Sequence, residues 1–173
     1  MSITMSSASL PLFKHMLGNL GHFLDKAQAH AEARKFDPIA LTQYRLAPDM
    51  LPFTRQVQIA CDAAKFGVAR IAGVEAPRYE DTETTLPDLK ARVEKTLGWI
   101  ATVKAEQLDG TEDKDVIFPV GRDGSSRTLK GEAFLKHWVL PNFFFHVTTA
   151  YAILRHNGVE LGKADYLNLA SLT

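Results

Sequence analysis

The sequence predicts an all-α protein, an antiparallel four-helix bundle with a small β-hairpin or extended crossover between the third and fourth helices. Four long stretches repeat apolar residues at three-and-four spacing, and only one short segment is β-prone. At 173 residues the chain has the length for one core that buries roughly 70% of the unfolded surface, so residues 1–173 are expected to form a single domain. No internal repeat or low-complexity run interrupts it.

The first helix is expected from Ser9, an N-cap type followed by Pro11, to about Arg34. Its stripe is Phe13, Leu17, Leu20, Leu24 and Ala27, with Gly18 and Gly21 allowing close backbone approach. Pro38 and Pro48 make Phe36 to Pro48 a connection. The second helix is expected from about Asp49, with Pro52 in its first turn and an apolar seam of Phe53, Val57, Ala60, Ala64, Val68 and Ile71. Gly73 ends it. An acidic loop from Val74 to Thr84 leads to the cap Thr85 with Pro87.

The third helix is expected from Leu86 to about Gln107, on a stripe of Leu89, Val93, Leu97, Ile100 and the aliphatic stem of Lys104. Val116 to Val120, a turn at Gly121-Arg122-Asp123-Gly124-Ser125, and Arg127 to Leu129 read as the hairpin. The fourth helix should run from about Glu132 to His156 and stop at Asn157-Gly158, leaving a short tail.

Composition narrows the function classes. A 46% hydrophobic and 23% charged content is that of a globular chain and excludes disorder. Twenty basic residues balance twenty acidic ones, so no net field gathers nucleic acid or an anionic membrane, and neither is expected as a partner. The most apolar run, Trp138 to Leu154, is short for a membrane span and carries Pro141, Asn142, His146, Thr148 and Thr149, so no transmembrane segment is expected. Cys61, the single cysteine, excludes an intramolecular disulfide and a cysteine-based zinc site. The first residues lack a basic patch followed by an apolar run, and a cytoplasmic location is expected.

One phrase carries more information: Arg45-Leu-Ala-Pro-Asp-Met-Leu-Pro-Phe53, then Arg55-Gln-Val-Gln-Ile-Ala-Cys-Asp-Ala-Ala-Lys65. Together with Phe143-Phe-Phe-His146, it resembles a bacterial domain family of unknown function within the DinB/YfiT-like metalloenzyme superfamily. The resemblance runs from about Phe13 to Gly158 and implies a DinB-like bundle. It assigns no single activity, because the superfamily spans metal-dependent hydrolases, thiol transferases and proteins without a known role.

Many DinB-like proteins hold a divalent metal with one histidine on the second helix and a His-x-x-x-His pair on the fourth. Residues four apart lie on one helix face at roughly 5–6 Å, so both imidazoles reach one ion. Here His146 has Asn142 four residues before it and Ala150 four after, and Gln56 stands near the second-helix position. A standard three-histidine site is therefore not expected.

His146 lies on the apolar arc of its helix with Val139, Ala150 and Ile153, so it is read as buried: a hydrogen-bonded core imidazole or a site residue. As a site residue, its expected companions are Gln56 and Asp49, seven apart on the second helix. His137, Asn142 and Asp62 are secondary candidates. His15 and His22 point away from the first helix's stripe, and His30 and His156 suit helix-end roles. Cys61 is read as a small buried hydrophobe, and Asp62 with Lys65 as a surface ion pair. The turn at Gly121 lacks the spacing of a phosphate-binding loop.

Three functions compete. One is a non-enzymatic bundle with a small-molecule pocket at His146, Gln56 and Asp49. Another is a metal-dependent hydrolase or thiol transferase whose divalent ion is held by a non-standard ligand set. The third is an interaction module forming a homodimer through an apolar helix face.

Overall fold

Ser9 precedes helix α1 (Leu10–Arg34), but its hydroxyl donates back to the Met5 carbonyl at 2.6 Å instead of capping the helix. In the computed structural model, residues 3–121 and 123–172 are described. Met1 and Ser2, at the start read for export, and Arg122 of the expected turn lie outside them. Phe13, Leu17, Leu20, Leu24 and Ala27 are all buried, and the helix ends where Lys35 turns left-handed at φ 54°.

A short helix α2 (Ile39–Gln43) interrupts the connection, and α3 (Phe53–Ala72) follows. Helix α3 starts at Phe53, the first residue of its seam and four residues later than the expected start at Asp49. Pro52 is extended at ψ 167° and serves as N-cap, and Asp49 stays exposed in the preceding turn. The residue before a proline is driven toward extended backbone, which works against helix through Leu51. Gly73 closes α3 at φ 69°, a left-handed conformation that glycine reaches without a Cβ clash.

A connection with no helix or strand from 74 to 84 crosses to α4 (Leu86–Ile100). Thr85 and Asp88 close a reciprocal capping box: the Thr85 hydroxyl accepts from the Asp88 N–H at 3.2 Å, and the Asp88 carboxylate accepts from the Thr85 N–H at 3.0 Å. Helix α4 ends at Ile100 rather than near Gln107, and Lys104 is exposed outside it. Val103 and Leu108 point their side chains into the core from the turn that follows, so the apolar pattern continues although the helix does not.

The hairpin pairs β1 (Asp115–Pro119) antiparallel with β2 (Ser126–Lys130), Ile117 opposite Thr128. From Gly131 the chain is helical to His156 in three parts: α5 (Gly131–Phe134), a π-helical turn (Leu135–Val139) and α6 (Leu140–His156). The tail is not featureless. Helix α7 (Lys163–Leu167) folds back onto α1, where the Asn19 amide donates to the Tyr166 carbonyl at 2.9 Å and a His15 ring nitrogen lies 2.7 Å from the Leu167 carbonyl.

The chain is thus mostly helical with one small antiparallel sheet, and among the described residues no helix is long and apolar enough to cross a membrane. Helix α3 packs most extensively on α6, and α1 on α4. Gly67 lies against Val139 and Gln56 against His146, so α3 and α6 run in opposite directions.

Candidate site on the helix α3 and α6 face

The antiparallel α3/α6 pair aligns polar residues of both helices. Gln56 Oε1 stands 2.7 Å from His146 Nδ1, and Gln56 Nε2 donates to the Leu51 carbonyl at 2.9 Å. A carbonyl can only accept, so the Leu51 contact orients the Gln56 amide and leaves Oε1, another acceptor, facing the imidazole. Nδ1 must carry the proton. The lone pair of His146 is then on Nε2, as it is where a second partner orients a histidine for ligation or base chemistry.

His146 is 8% exposed. Its burial, followed by the positive charge of Arg55, pulls its pKa from 6.5 down to about 4, so the ring is neutral at neutral pH. The exposed Phe145 ring meets it edge-on at 5.1 Å.

Asp49 is not brought to this pair. The expected seven-residue spacing with Gln56 fails because α3 begins after Asp49, and the main chain of Leu51, rather than the Asp49 carboxylate, completes the hydrogen bonding of Gln56. One helical turn before His146, Asn142 lines a cavity of about 130 Å³ with Asp62, Arg70, Phe66 and Trp138. Exposed His137 lines a separate cavity of about 790 Å³ with Trp138, Phe118 and Arg127, between the hairpin and the π turn.

Sequence spacing misplaces Lys65. It is fully buried, not a surface residue: its Nζ lies 2.9 Å from Asp62 Oδ1 and 3.7 Å from the centroid of the Tyr79 ring. The same Asp62 oxygen is 3.1 Å from Arg92 on α4, whose side chain is 1% exposed. Arg92 reaches Asp81 at 3.1 Å and Glu83 at 3.0 Å, and Glu83 also accepts from Gln58 at 2.8 Å. Burial works against the Arg92 charge, but Glu83 and Asp62 outweigh it and raise its pKa. The available signal was an arginine on the apolar seam between Leu89 and Thr96, which a buried helix face tolerates only with partners.

Cys61 is buried beside this network. Burial pushes its thiol up to about 12 against the opposing hydrogen bond to Thr96, so it is a poor nucleophile and packs as a small hydrophobe.

Against known proteins, the model of a domain of unknown function, DUF1993, matches residues 5–167. The chain belongs to the DUF1993 family. A solved structure described as a DinB family member from Shewanella denitrificans is 41% identical to this DUF1993 chain, with a TM-score of 0.85 over 92% of this chain and 89% of that one. No curated protein matches.

The metal of DinB-like proteins finds no fitting donor set here. Helix α6 carries one imidazole, His146, with Asn142 and Ala150 four residues to either side where the resemblance implies a second histidine, and a glutamine faces it from α3. Among the described residues no group of three or more His, Cys, Asp and Glu side chains forms a metal-holding cluster.

Proposed function

We propose that this DUF1993 protein is an antiparallel four-helix bundle that binds a small molecule at the α3/α6 face, with His146 Nε2 accepting a hydrogen bond from a ligand O–H or N–H. The orientation of Gln56 carries this reading. It directs the imidazole proton inward and, with the lowered pKa, keeps the Nε2 lone pair available at neutral pH. Asn142, one turn away on α6 and lining the neighbouring cavity with Asp62, supplies further polar groups.

Diethyl pyrocarbonate, which acylates neutral, accessible imidazole nitrogens, tests it. The reading requires carbethoxylation of His146 in the native protein at neutral pH, mapped by mass spectrometry, with exposed His22 as the internal standard. An unreactive His146, or an Nε2–H tautomer in ¹⁵N spectra, identifies a sealed core imidazole and ends the proposal.

A second reading, homodimer formation, draws on Phe145 and Leu51, which are 56% and 38% exposed and flank the same pair. Light scattering separates it from the first: a monomer at high concentration removes it.

A further inference from the structure

The connection from Val74 to Thr84 lies over α3 and α4 as a strap held by charge. Among the described residues, Arg55, Lys65 and Arg92 on the helices meet one helix carboxylate, Asp62, and the strap supplies two more, Asp81 and Glu83. The internal balance therefore depends on a segment without secondary structure of its own.

Between the strap and α4 lies a cavity of about 540 Å³. Arg78 and Lys95 line it, and among the described residues neither forms an ion pair with a carboxylate. Arg92 lines it too. Its Nε and Nη2 are buried without a hydrogen bond, Nη2 lying near Asp62 and Asp81 but not aligned with them. Of the lining carboxylates, Glu83 is held by Arg92 and Gln58 and Asp88 by the α4 cap, leaving Glu80 as the uncommitted acid against Arg78 and against Lys95, whose ammonium lies 4.3 Å from the Tyr79 ring centroid but meets no carboxylate.

We infer that this cavity is a binding site for a small oxyanion, a carboxylate or a phosphate group. Arg78 and Lys95 would receive it from the cavity, and it would take the place of Asp81 against the Arg92 Nη2, which is sealed from solvent in the present arrangement. Planar guanidinium groups and ammonium groups are the side chains suited to such oxygens, and an N–H left unbonded in a buried guanidinium gains most from one. The site is distinct from the His146 pair and does not depend on its role.

Inorganic phosphate and acetate, titrated separately at constant ionic strength against chloride, provide the test. The readouts are the Arg92 Nε–Hε NMR signal and hydrogen exchange of the strap. Saturable perturbation by either oxyanion, absent with chloride, supports the site; a response to phosphate alone assigns the ligand as a phosphate group, and a response to both assigns oxyanions in general. In the Arg78→Met, Lys95→Met double variant, which alters only exposed residues and whose fold is checked by circular dichroism, binding should be lost. Asp81→Asn should bind about tenfold more tightly, the effect of freeing one charge-assisted donor. Equal responses to chloride and the oxyanions, retained binding in the double variant, or unchanged affinity in Asp81→Asn would each overturn the inference.

Discussion

Gln56 Oε1, 2.7 Å from His146 Nδ1, accepts the Nδ1 proton because the Gln56 amide nitrogen is committed to the Leu51 carbonyl. Replacing Gln56 by Leu leaves a buried N–H unpaired, and a cost of about 1–3 kcal/mol is expected in denaturant unfolding. Gln56→Glu places a carboxylate beside the ring and should raise the His146 pKa from about 4, read by NMR titration. An unchanged pKa in Gln56→Glu would show that the contact does not govern the imidazole.

The same histidine makes stability depend on pH. Its folded pKa lies below its unfolded value, so the unfolded chain takes up the proton first as pH falls. The contribution is complete above about 6.5 and is lost toward about 4, by on the order of 3 kcal/mol. Asp165 is held down to about 2 by Lys26 and the Gly162 N–H, so its contribution is present above about 3.8 and is lost below that, in a separate window. Unfolding measured across both ranges should show the upper loss in the wild type and not in His146→Leu.

Asp62 bridges Lys65 and Arg92 with one oxygen. Asp62→Ala strands Lys65 in the interior and takes one of three carboxylates from Arg92, which keeps Asp81 and Glu83, and should cost about 3 kcal/mol, whereas Lys65→Met replaces a buried ammonium with an apolar chain of similar length and should be close to neutral. Chemical denaturation of the two variants checks the asymmetry; equal losses would mean that the pair contributes through packing alone.

Gly67 of α3 packs against Val139 on the π turn that leads into α6. A Cβ there would lie 2.3 Å from a Val139 methyl on the π turn, so Gly67→Ala should cost about 1–3 kcal/mol. Adding Val139→Ala should recover part of that loss, and thermal unfolding of the single and double variants measures the coupling.

Thr85 closes the capping box at the start of α4. Thr85→Ala is expected to lower stability by about 1 kcal/mol with no change in the fold, as seen by denaturation and circular dichroism.

Much of this was legible in one dimension. Gly73, Thr85, the hairpin and the seam from Phe53 to Ile71 depend on neighbours in sequence, so local propensity reveals them. Three expectations failed where local rules meet tertiary ones. Asp49 precedes α3 because Pro52 caps it. Lys104 falls outside α4, which ends early while Val103 and Leu108 keep the core filled. Lys65 is buried because a distant tyrosine covers it.

The sequence by itself determined the four long helical stretches to within several residues at their ends, which face of each is apolar, and that His146 lies on a buried arc, because these follow from spacing along one chain. Only the tertiary structure decided that Gln56 and Leu51 set the proton on His146, and that an acidic strap completes the charge of Arg92. Those partners are 90 residues apart for Gln56 and His146 and 9 for Glu83 and Arg92. The relative shift of packed helices and the path of a loop across them bring such groups together, and periodicity within a single helix carries no information about either.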